Sequence, residues 1–166
     1  MDEIVSAGEE FLKERGWKAF ANTTKVVKTD DDWRTTLPHK TVATRAGLGW
    51  IGKNCLLVTK EYGGAVRLSS LVTDAPLTAD LPVKESRCGE CTICVSRCPA
   101  GALTGVLWRP ETKREELFHK EDCKRMQIQR MKEAAGIETD LCGLCFAVCP
   151  YTQTYIGFRK CLTSNG

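Results

Sequence analysis

The sequence lacks any long hydrophobic run, because no apolar stretch approaches the roughly 20 residues that a helix needs to cross a bilayer. The first residues, Met1-Asp2-Glu3, also lack the basic and apolar segments of a signal peptide. These absences predict a cytoplasmic location and no membrane partner. The net charge is small, +3 at pH 7, and by itself is no argument for nucleic-acid binding.

Cysteine is nearly missing from the first half of the chain, where Cys55 is the only one of the ten. The second half contains all the others. Cytoplasmic thiols stay reduced, so this concentration is typical of metal sites rather than of disulfides. A chain of 166 residues has room for one domain or two small ones. The change in composition predicts a boundary near residues 80–84, between an α/β segment at residues 1–80 and a metal-binding segment at residues 81–166.

Hydrophobic patterning predicts short helices and strands in the first segment. A helix is expected over residues 2–15, ending at Gly16, with an apolar face formed by Ile4, Val5, Phe11 and Leu12. A loop is expected at residues 25–38, a helix at 41–46, and strands at 17–22, 55–59 and 65–73. Residues 61–64 are expected to form a hairpin turn between the last two strands. In the second segment, a charged helix is expected over residues 115–135, ending at Gly136.

The stretch GLGWIGKN at residues 47–54 fits the dinucleotide fingerprint G-x-G-x-x-G and nearly fits the phosphate-binding P-loop. In a P-loop, a Ser or Thr would stand where this chain has Asn54. Both nucleotide motifs need a strand before the glycines and a helix after them, so that the helix N-terminus faces the phosphates. Here a predicted helix comes first and a predicted strand follows, which argues against a nucleotide site. A tight turn that needs glycine for backbone reasons is the alternative.

The cysteines of the second segment form two related motifs. Cys88-x2-Cys91-x2-Cys94-x3-Cys98-Pro99 has the spacing of bacterial ferredoxins, in which the fourth cysteine ligates the other [4Fe–4S] cluster. Cys142-x2-Cys145-x3-Cys149-Pro150 has the same ending but one cysteine fewer, and Cys123 is the natural replacement. The prediction is a crossed pairing. The first cluster takes Cys88, Cys91, Cys94 and Cys149, and the second takes Cys98, Cys123, Cys142 and Cys145.

Zinc is the alternative to iron–sulfur clusters, since two four-cysteine zinc sites would use the same eight thiolates, although zinc favours paired C-x2-C units. Cys55 is expected to be a small buried hydrophobe and Cys161 a bystander thiol. Two cubanes of charge about −2 each would bring the chain from +3 to about −1. The basic run at residues 124–132 is either a docking face for RNA or a redox partner, or the solvated side of a helix.

Several segments between about residues 35 and 155 together resemble one known family. They are His39-Lys40, AGLGWIGKN at residues 46–54, LVTD at 71–74, RCGECTIC at 87–94, CPAGA at 98–102, Cys123 and CGLCFAVCP at 142–150. The chain resembles the epoxyqueuosine reductase family and its relatives, which include corrinoid-dependent reductive dehalogenases. The ferredoxin-type part is only moderately specific to this family, whereas its combination with AGLGWIGKN and LVTD is much more so.

The resemblance implies an α+β fold, with a partial nitroreductase-like α/β segment followed by a bacterial two-[4Fe–4S] ferredoxin-type domain. In that family, the two clusters deliver electrons to a cobalamin held in the nitroreductase-like module. The resemblance therefore implies an oxidoreductase-related electron-transfer role, a ferredoxin- or flavodoxin-type donor, and tRNA or a corrinoid-binding chain as further partners. It also implies a cofactor-site wall close to the first cluster, made by Lys40, Gly47, Gly49, Trp50, Gly52 and Lys53.

Simpler interpretations exist for some of these side chains. Lys53 could equally be an ordinary solvent-facing lysine, and Trp50 is expected to pack in the core or in the wall of the site. His39 has the chemistry of an iron ligand or cofactor-site donor, but next to Pro38 it is more simply a loop residue with a local hydrogen bond.

The chain departs from the family in its N-terminal part. Family members have a longer portion there, including an acidic residue thought to protonate the substrate, whereas about forty residues precede the Lys40 segment here. None matches that motif, so no catalytic residue is assigned, and Asp30, Asp31 and Asp32 are interpreted as solvated turn residues. We expect a fragment, a short form that needs a partner chain, or a protein that only carries electrons. The other functional classes are a non-enzymatic ferredoxin-like docking module and a zinc-stabilised nucleic-acid binder.

Overall fold

A computed structural model describes the backbone of residues 1–163 and the side chains of residues 1–157. Its elements, in chain order, are α1 (Asp2–Glu14), β1 (Ala19–Ala21), α2 (His39–Arg45), β2 (Trp50–Ile51), β3 (Leu57–Val58), β4 (Leu71–Thr73), α3 (Ile93–Ser96), α4 (Arg114–Leu117), α5 (Lys120–Ala135), α6 (Leu144–Ala147) and α7 (Pro150–Thr163). Within this part of the chain, we find no helix with the length and hydrophobicity needed to span a membrane.

The elements form two compact units. The first unit consists of Met1–Leu48 and Arg67–Val83, and the second of Gly49–Val66 and Lys84–Gly166. Contacts within the chain therefore group residues 49–66 with the cysteine-rich segment, whereas composition had placed them in the segment at residues 1–80.

In the first unit, α1 packs on an antiparallel ribbon of β1 and β4, in which Phe20 lies opposite Val72. The helix at residues 2–15 is thus confirmed, but the expected apolar face is only partly buried. Val5 is buried, whereas Ile4 is 70% exposed and Phe11 is 52% exposed. Two strands of three residues each make a ribbon too narrow to cover a whole helical stripe.

The strand pairing predicted through a hairpin at residues 61–64 is wrong. Strand β3 pairs with β2 in the second unit, and β4 pairs with β1 in the first. Residues 61–64 instead lie in a local turn closed by a bridge between Thr59 and Gly63. The real hairpin is the glycine-rich segment itself, where the side-chain oxygen of Asn54 accepts a hydrogen bond from the Leu56 N–H at 3.2 Å. An asparagine side chain that bonds to the backbone two residues on stabilises a turn.

The helix predicted over residues 115–135 is present as two helices, α4 and α5. Phe118 between them has an extended backbone and forms a bridge with Leu103, which diverts the chain out of the helical path. Helix α5 ends at Gly136 with a φ of +67°, as expected for a glycine that stops a helix. The buried apolar residues of the second unit include Trp50, Val58, Leu103, Trp108 and Leu117.

Candidate metal centre

Two matching segments present most of the cysteines of the second unit. Helices α3 and α6 are single turns that contain Cys94 and Cys145, and they pack against each other. Each helix is followed by a Cys-Pro pair whose cysteine N–H donates to the carbonyl three residues earlier, at 3.2 Å for Cys98 and 3.3 Å for Cys149. Pro150 is the first residue of α7, a position that proline favours because its missing N–H would have no partner there.

The thiols of the first predicted set lie together. Burial raises the pKa of Cys94 to about 11, and the next largest influences come from Cys88, Cys149 and Cys91. Charges act this strongly on one another only at short range. The structure therefore brings Cys149, from the second segment, to the three cysteines of the first segment.

The second predicted set also converges. Burial raises the pKa of Cys145 to about 12, and its neighbours, in order of influence, are Cys123, Cys94, Cys98 and Cys142. Three of these four belong to the same predicted set, and Cys98 again comes from the other segment. The influence of Cys94 shows that the two sets are adjacent.

Cys123 lies on α5 beside the same thiols. It was predicted as a ligand only because the second motif has one cysteine fewer than the first. Its pKa is raised by burial, against a hydrogen bond from Gln127, whose Nε2 donates to the sulfur at 3.0 Å. Cys98 and Cys142 raise the pKa further. A residue four positions along the same helix thus holds the thiol in place.

A cavity of about 320 Å³ opens beside the first set. All four thiols of that set line it, and the full lining is Lys53, Asn54, Val58, Arg87, Cys88, Cys91, Cys94, Cys149, Pro150 and Tyr151. No acidic side chain is among these residues, whereas two cationic ones are. Four thiols with nearby positive charge fit an anionic iron–sulfur cluster.

A single metal ion fits less well. Among the described residues, no three Cys, His, Asp or Glu side chains come together closely enough to hold one ion. A tetrahedral zinc site gathers its four thiolates on one ion, whereas a cubane takes each thiolate on a different iron atom. The described thiols therefore do not gather in the way that a single zinc ion requires.

Lys53 lies in the turn between β2 and β3 and is only 6% exposed. The alternative that it is a solvent-facing lysine is therefore wrong. Its neighbour Asn54 is also buried, and its Nδ2 donates to the carbonyl of Cys145 at 3.5 Å. This turn thus contacts both cysteine segments of the second unit.

The glycines of this hairpin are explained by the chain's own packing. A Cβ on Gly49 would come within 2.2 Å of the Val58 carbonyl oxygen, and one on Gly52 within 2.6 Å of the Asn54 side chain. The tight-turn alternative is therefore confirmed for these two positions. The order of helix before and strand after the glycines is also confirmed, which removes the helix N-terminus that a nucleotide site requires.

The other residues implied by the family resemblance are divided between the units. Trp50 is buried in the second unit, with its ring edge-on to Tyr151 at 4.9 Å, so its packing role is confirmed. Lys40 and Gly47 belong to the first unit, in and just after α2. His39 begins α2 rather than lying in a loop, and its Nδ1 is 2.7 Å from the Ser70 hydroxyl oxygen.

Two further interpretations concern charged residues. Asp30 accepts hydrogen bonds from the N–H groups of Asp32 and Arg34, at 3.0 and 2.8 Å, which confirms a turn. The basic run lies on α5, in which no residue is buried, and this exposure fits both a docking face and the solvated side of a helix.

Cys55 is buried as expected, but its nearness to a proposed cluster ligand was not predicted from the sequence. It has a φ of +58°, unusual for a residue other than glycine, and it is near enough to Cys123 to affect that thiol's pKa. Its place upstream of both motifs gave no signal for this, because spacing patterns report only local geometry. The side chain of Cys161 lies outside the described residues.

Residues 87–152 match the family model of the 4Fe–4S double cluster binding domain. An epoxyqueuosine reductase from Listeria monocytogenes is 37% identical over 115 residues, which cover 68% of this chain and 29% of that protein. This chain is epoxyqueuosine reductase-like.

The epoxyqueuosine reductase-like chain is also similar to solved structures. An epoxyqueuosine reductase crystallised with an epoxyqueuosine-modified tRNA stem loop has a TM-score of 0.65 at 29% identity, covering 91% of this chain and 37% of that one. A catabolic reductive dehalogenase in complex with 3-bromo-4-hydroxybenzoic acid has the same TM-score at 20% identity, covering 90% of this chain and 20% of that one, and so shares the fold alone. The chain spans well under half the length of each of these relatives.

Proposed function

We propose that this chain is an iron–sulfur electron-transfer protein related to epoxyqueuosine reductase, which passes single electrons through two [4Fe–4S] clusters to a corrinoid or to a partner redox centre. The observation that carries the proposal is the exchange of cysteines between segments. Cys149 lies with the thiols of the first segment, and Cys98 lies with those of the second. This is the arrangement of ferredoxins that hold two clusters.

The eight proposed ligands are the seven cysteines of the two motifs and, in addition, Cys123. Cys88, Cys91, Cys94 and Cys149 would hold the first cluster, and Cys98, Cys123, Cys142 and Cys145 the second. When bound, such clusters supply one-electron transfer, at potentials set by charge, hydrogen bonds and burial around the sulfurs. The chain contributes two of these features, since the Gln127 amide donates a hydrogen bond to Cys123 and Cys149 is buried.

We further propose that part of this chain contributes to a nitroreductase-like wall for a corrinoid. The residues for this role are Lys40, Gly47, Gly49, Trp50, Gly52 and Lys53. The support is the likeness to epoxyqueuosine reductases over the segments that contain them. Absorbance titration of the full chain with cobalamin tests the role, and no spectral change at high concentration would leave a carrier that serves a separate redox centre.

The tRNA stem loop bound by one relative makes tRNA a proposed partner. Helix α5 is the surface to examine, because its basic run is solvated. Replacing Arg125 and Arg130 by Gln should weaken tRNA binding and flatten its salt dependence if the helix contacts phosphates. Unchanged binding by this variant would remove α5 from the proposal.

The test of the central function is anaerobic reconstitution of the full chain with iron and sulfide. We expect about eight irons and eight labile sulfides per chain, four of each for every cubane. Stoichiometric zinc without labile sulfide would overturn the proposal and favour the zinc-stabilised class instead.

A further inference from the structure

The cavity beside the first cysteine set has an unusual charge balance. Its only ionisable side chains other than cysteines and Tyr151 are Lys53 and Arg87, so its charged residues are all cationic. Arg87 is exposed to solvent, with its guanidinium 5.6 Å from the centre of the Trp50 ring. Lys53, in contrast, is 94% buried. Water therefore screens the charge of Arg87 far more than that of Lys53.

A buried ammonium group needs compensation. Lysine is almost never buried unless it is paired, since removing its charge from water costs several kcal/mol per ion, in order of magnitude. In the part of the chain that the structure describes, no carboxylate forms an ion pair with Lys53. The side chains of the cavity that can become anions are the four thiols and the Tyr151 phenol.

The position of Lys53 is fixed by the hairpin. The N–H of Gly52 donates to the Leu56 carbonyl at 2.9 Å, and the N–H of Cys55 donates to the Gly52 carbonyl at 2.8 Å. These bonds close the turn on both sides of Lys53. The lysine backbone is therefore held beside the cavity by hydrogen bonds within the hairpin itself.

We propose that Lys53 is the charge-compensating residue of the first cluster and raises the reduction potential of that cluster. The proposal rests on the proposed function, because it requires a cluster on Cys88, Cys91, Cys94 and Cys149. Reduction adds one electron and therefore one negative charge at that site. A buried positive charge nearby stabilises the reduced form more than the oxidised form. The Lys53 side chain thus favours the state in which the first cluster is reduced.

The test uses the reconstituted full chain, with dithionite as the electron donor and EPR as the readout of a redox titration. Lys53→Met removes the charge and keeps a long apolar side chain, and Lys53→Arg keeps the charge. Lys60→Met is the matched control, because Lys60 is exposed and lies close by in the sequence. We expect Lys53→Met to lower the equilibrium constant for one-electron reduction of one cluster by at least about tenfold. This corresponds to a decrease of about 59 mV in the reduction potential of that cluster. Lys60→Met should leave both potentials unchanged, and Lys53→Arg should restore most of the shift.

Two cysteine backgrounds identify the cluster that responds. Cys142→Ala is expected to leave only the first cluster, and Cys91→Ala only the second. Lys53→Met should shift the potential in the Cys142→Ala background and not in the Cys91→Ala background. A shift in potential that occurs only in the Cys91→Ala background would overturn the proposal. Equal potentials in the unmodified chain and in Lys53→Met, each with its full iron content, would also overturn it.

Failure of assembly is also informative. If Lys53→Met binds only about four irons whereas Lys53→Arg binds about eight, the charge is needed to hold the first cluster, which supports the proposal. If both variants lose the first cluster, shape rather than charge is required and the proposal fails. Absence of iron and sulfide from the unmodified chain would instead refute the proposed function, so the two failures are distinguishable.

Discussion

The two units of the chain are organised by different kinds of interaction. In the first unit, α1 lies on a two-stranded ribbon, and the buried apolar side chains there are small, namely Val5, Ala21 and Ala43. The second unit buries larger side chains such as Trp50 and Trp108, yet it also keeps a cavity of about 320 Å³ lined by thiols. A cavity beside a core lowers stability unless a ligand fills it. The comparison predicts that loss of iron–sulfur clusters destabilises the second unit more than the first.

The largest expected effect is that of iron removal. Chelation of the reconstituted protein should increase hydrogen exchange of the Gly52 amide, which bonds to Leu56 in the second unit, by at least about tenfold, or about 1.4 kcal/mol. The Asn22 amide, which bonds to Ser70 in the first unit, should exchange as before. Hydrogen exchange followed by NMR measures both amides together. Equal acceleration of the two would contradict the distinction between the units.

The next effect is expected from adding a methyl group to a glycine in each unit. Gly49→Ala places a Cβ 2.2 Å from the Val58 carbonyl oxygen, so it should lower the free energy of unfolding by about 1–3 kcal/mol. Gly8→Ala, on α1, meets only the Leu71 side chain at 3.4 Å and should raise stability by up to about 1 kcal/mol. Denaturant titrations of both variants provide the comparison. A neutral Gly49→Ala would mean that the hairpin backbone can move away from Val58.

The smallest effect concerns a carboxylate of the first unit. Hydrogen bonds from Lys13 and from the Ala21 N–H, the latter at 3.0 Å, lower the pKa of Glu9 below its ordinary value of 4.5. Because the pKa is lower in the folded state, the stabilisation is complete above pH 4.5 and is lost as the pH falls through the folded-state pKa. Glu9→Gln should therefore lower the thermal midpoint slightly at neutral pH and not in strong acid. Glu10→Gln, an exposed change on the same helix, is the control, and a pH-independent difference would exclude this origin.

The parts of the site that sequence could predict are those with local geometry. The spacing around Cys88 and Cys145 predicts two related segments that each end in Cys-Pro, and the structure has a short helical turn before each of these pairs. The helix before GLGWIGKN and the strand after it could also be predicted. The eight ligands and their crossing stay a prediction.

The missed features depend on contacts between distant residues. Strand partners were wrong because β1 and β4 pair across about fifty residues, and no local pattern encodes that register. The burial of Lys53 and the nearness of Cys55 to Cys123 were missed for the same reason. A single lysine or cysteine outside a repeat has no periodic neighbours to reveal which way it faces. The resemblance to epoxyqueuosine reductases is confirmed, since it was carried by several separate segments together.

The measurement that tests the central claim most directly is the iron content of two double variants after anaerobic reconstitution. Under the crossed pairing, Cys91→Ala/Cys149→Ala removes two ligands of one cluster, so it should keep about four irons per chain. Cys142→Ala/Cys149→Ala removes one ligand from each cluster and should keep almost none. The opposite result, with about four irons in Cys142→Ala/Cys149→Ala and almost none in Cys91→Ala/Cys149→Ala, would show that each segment holds its own cluster and would contradict this account.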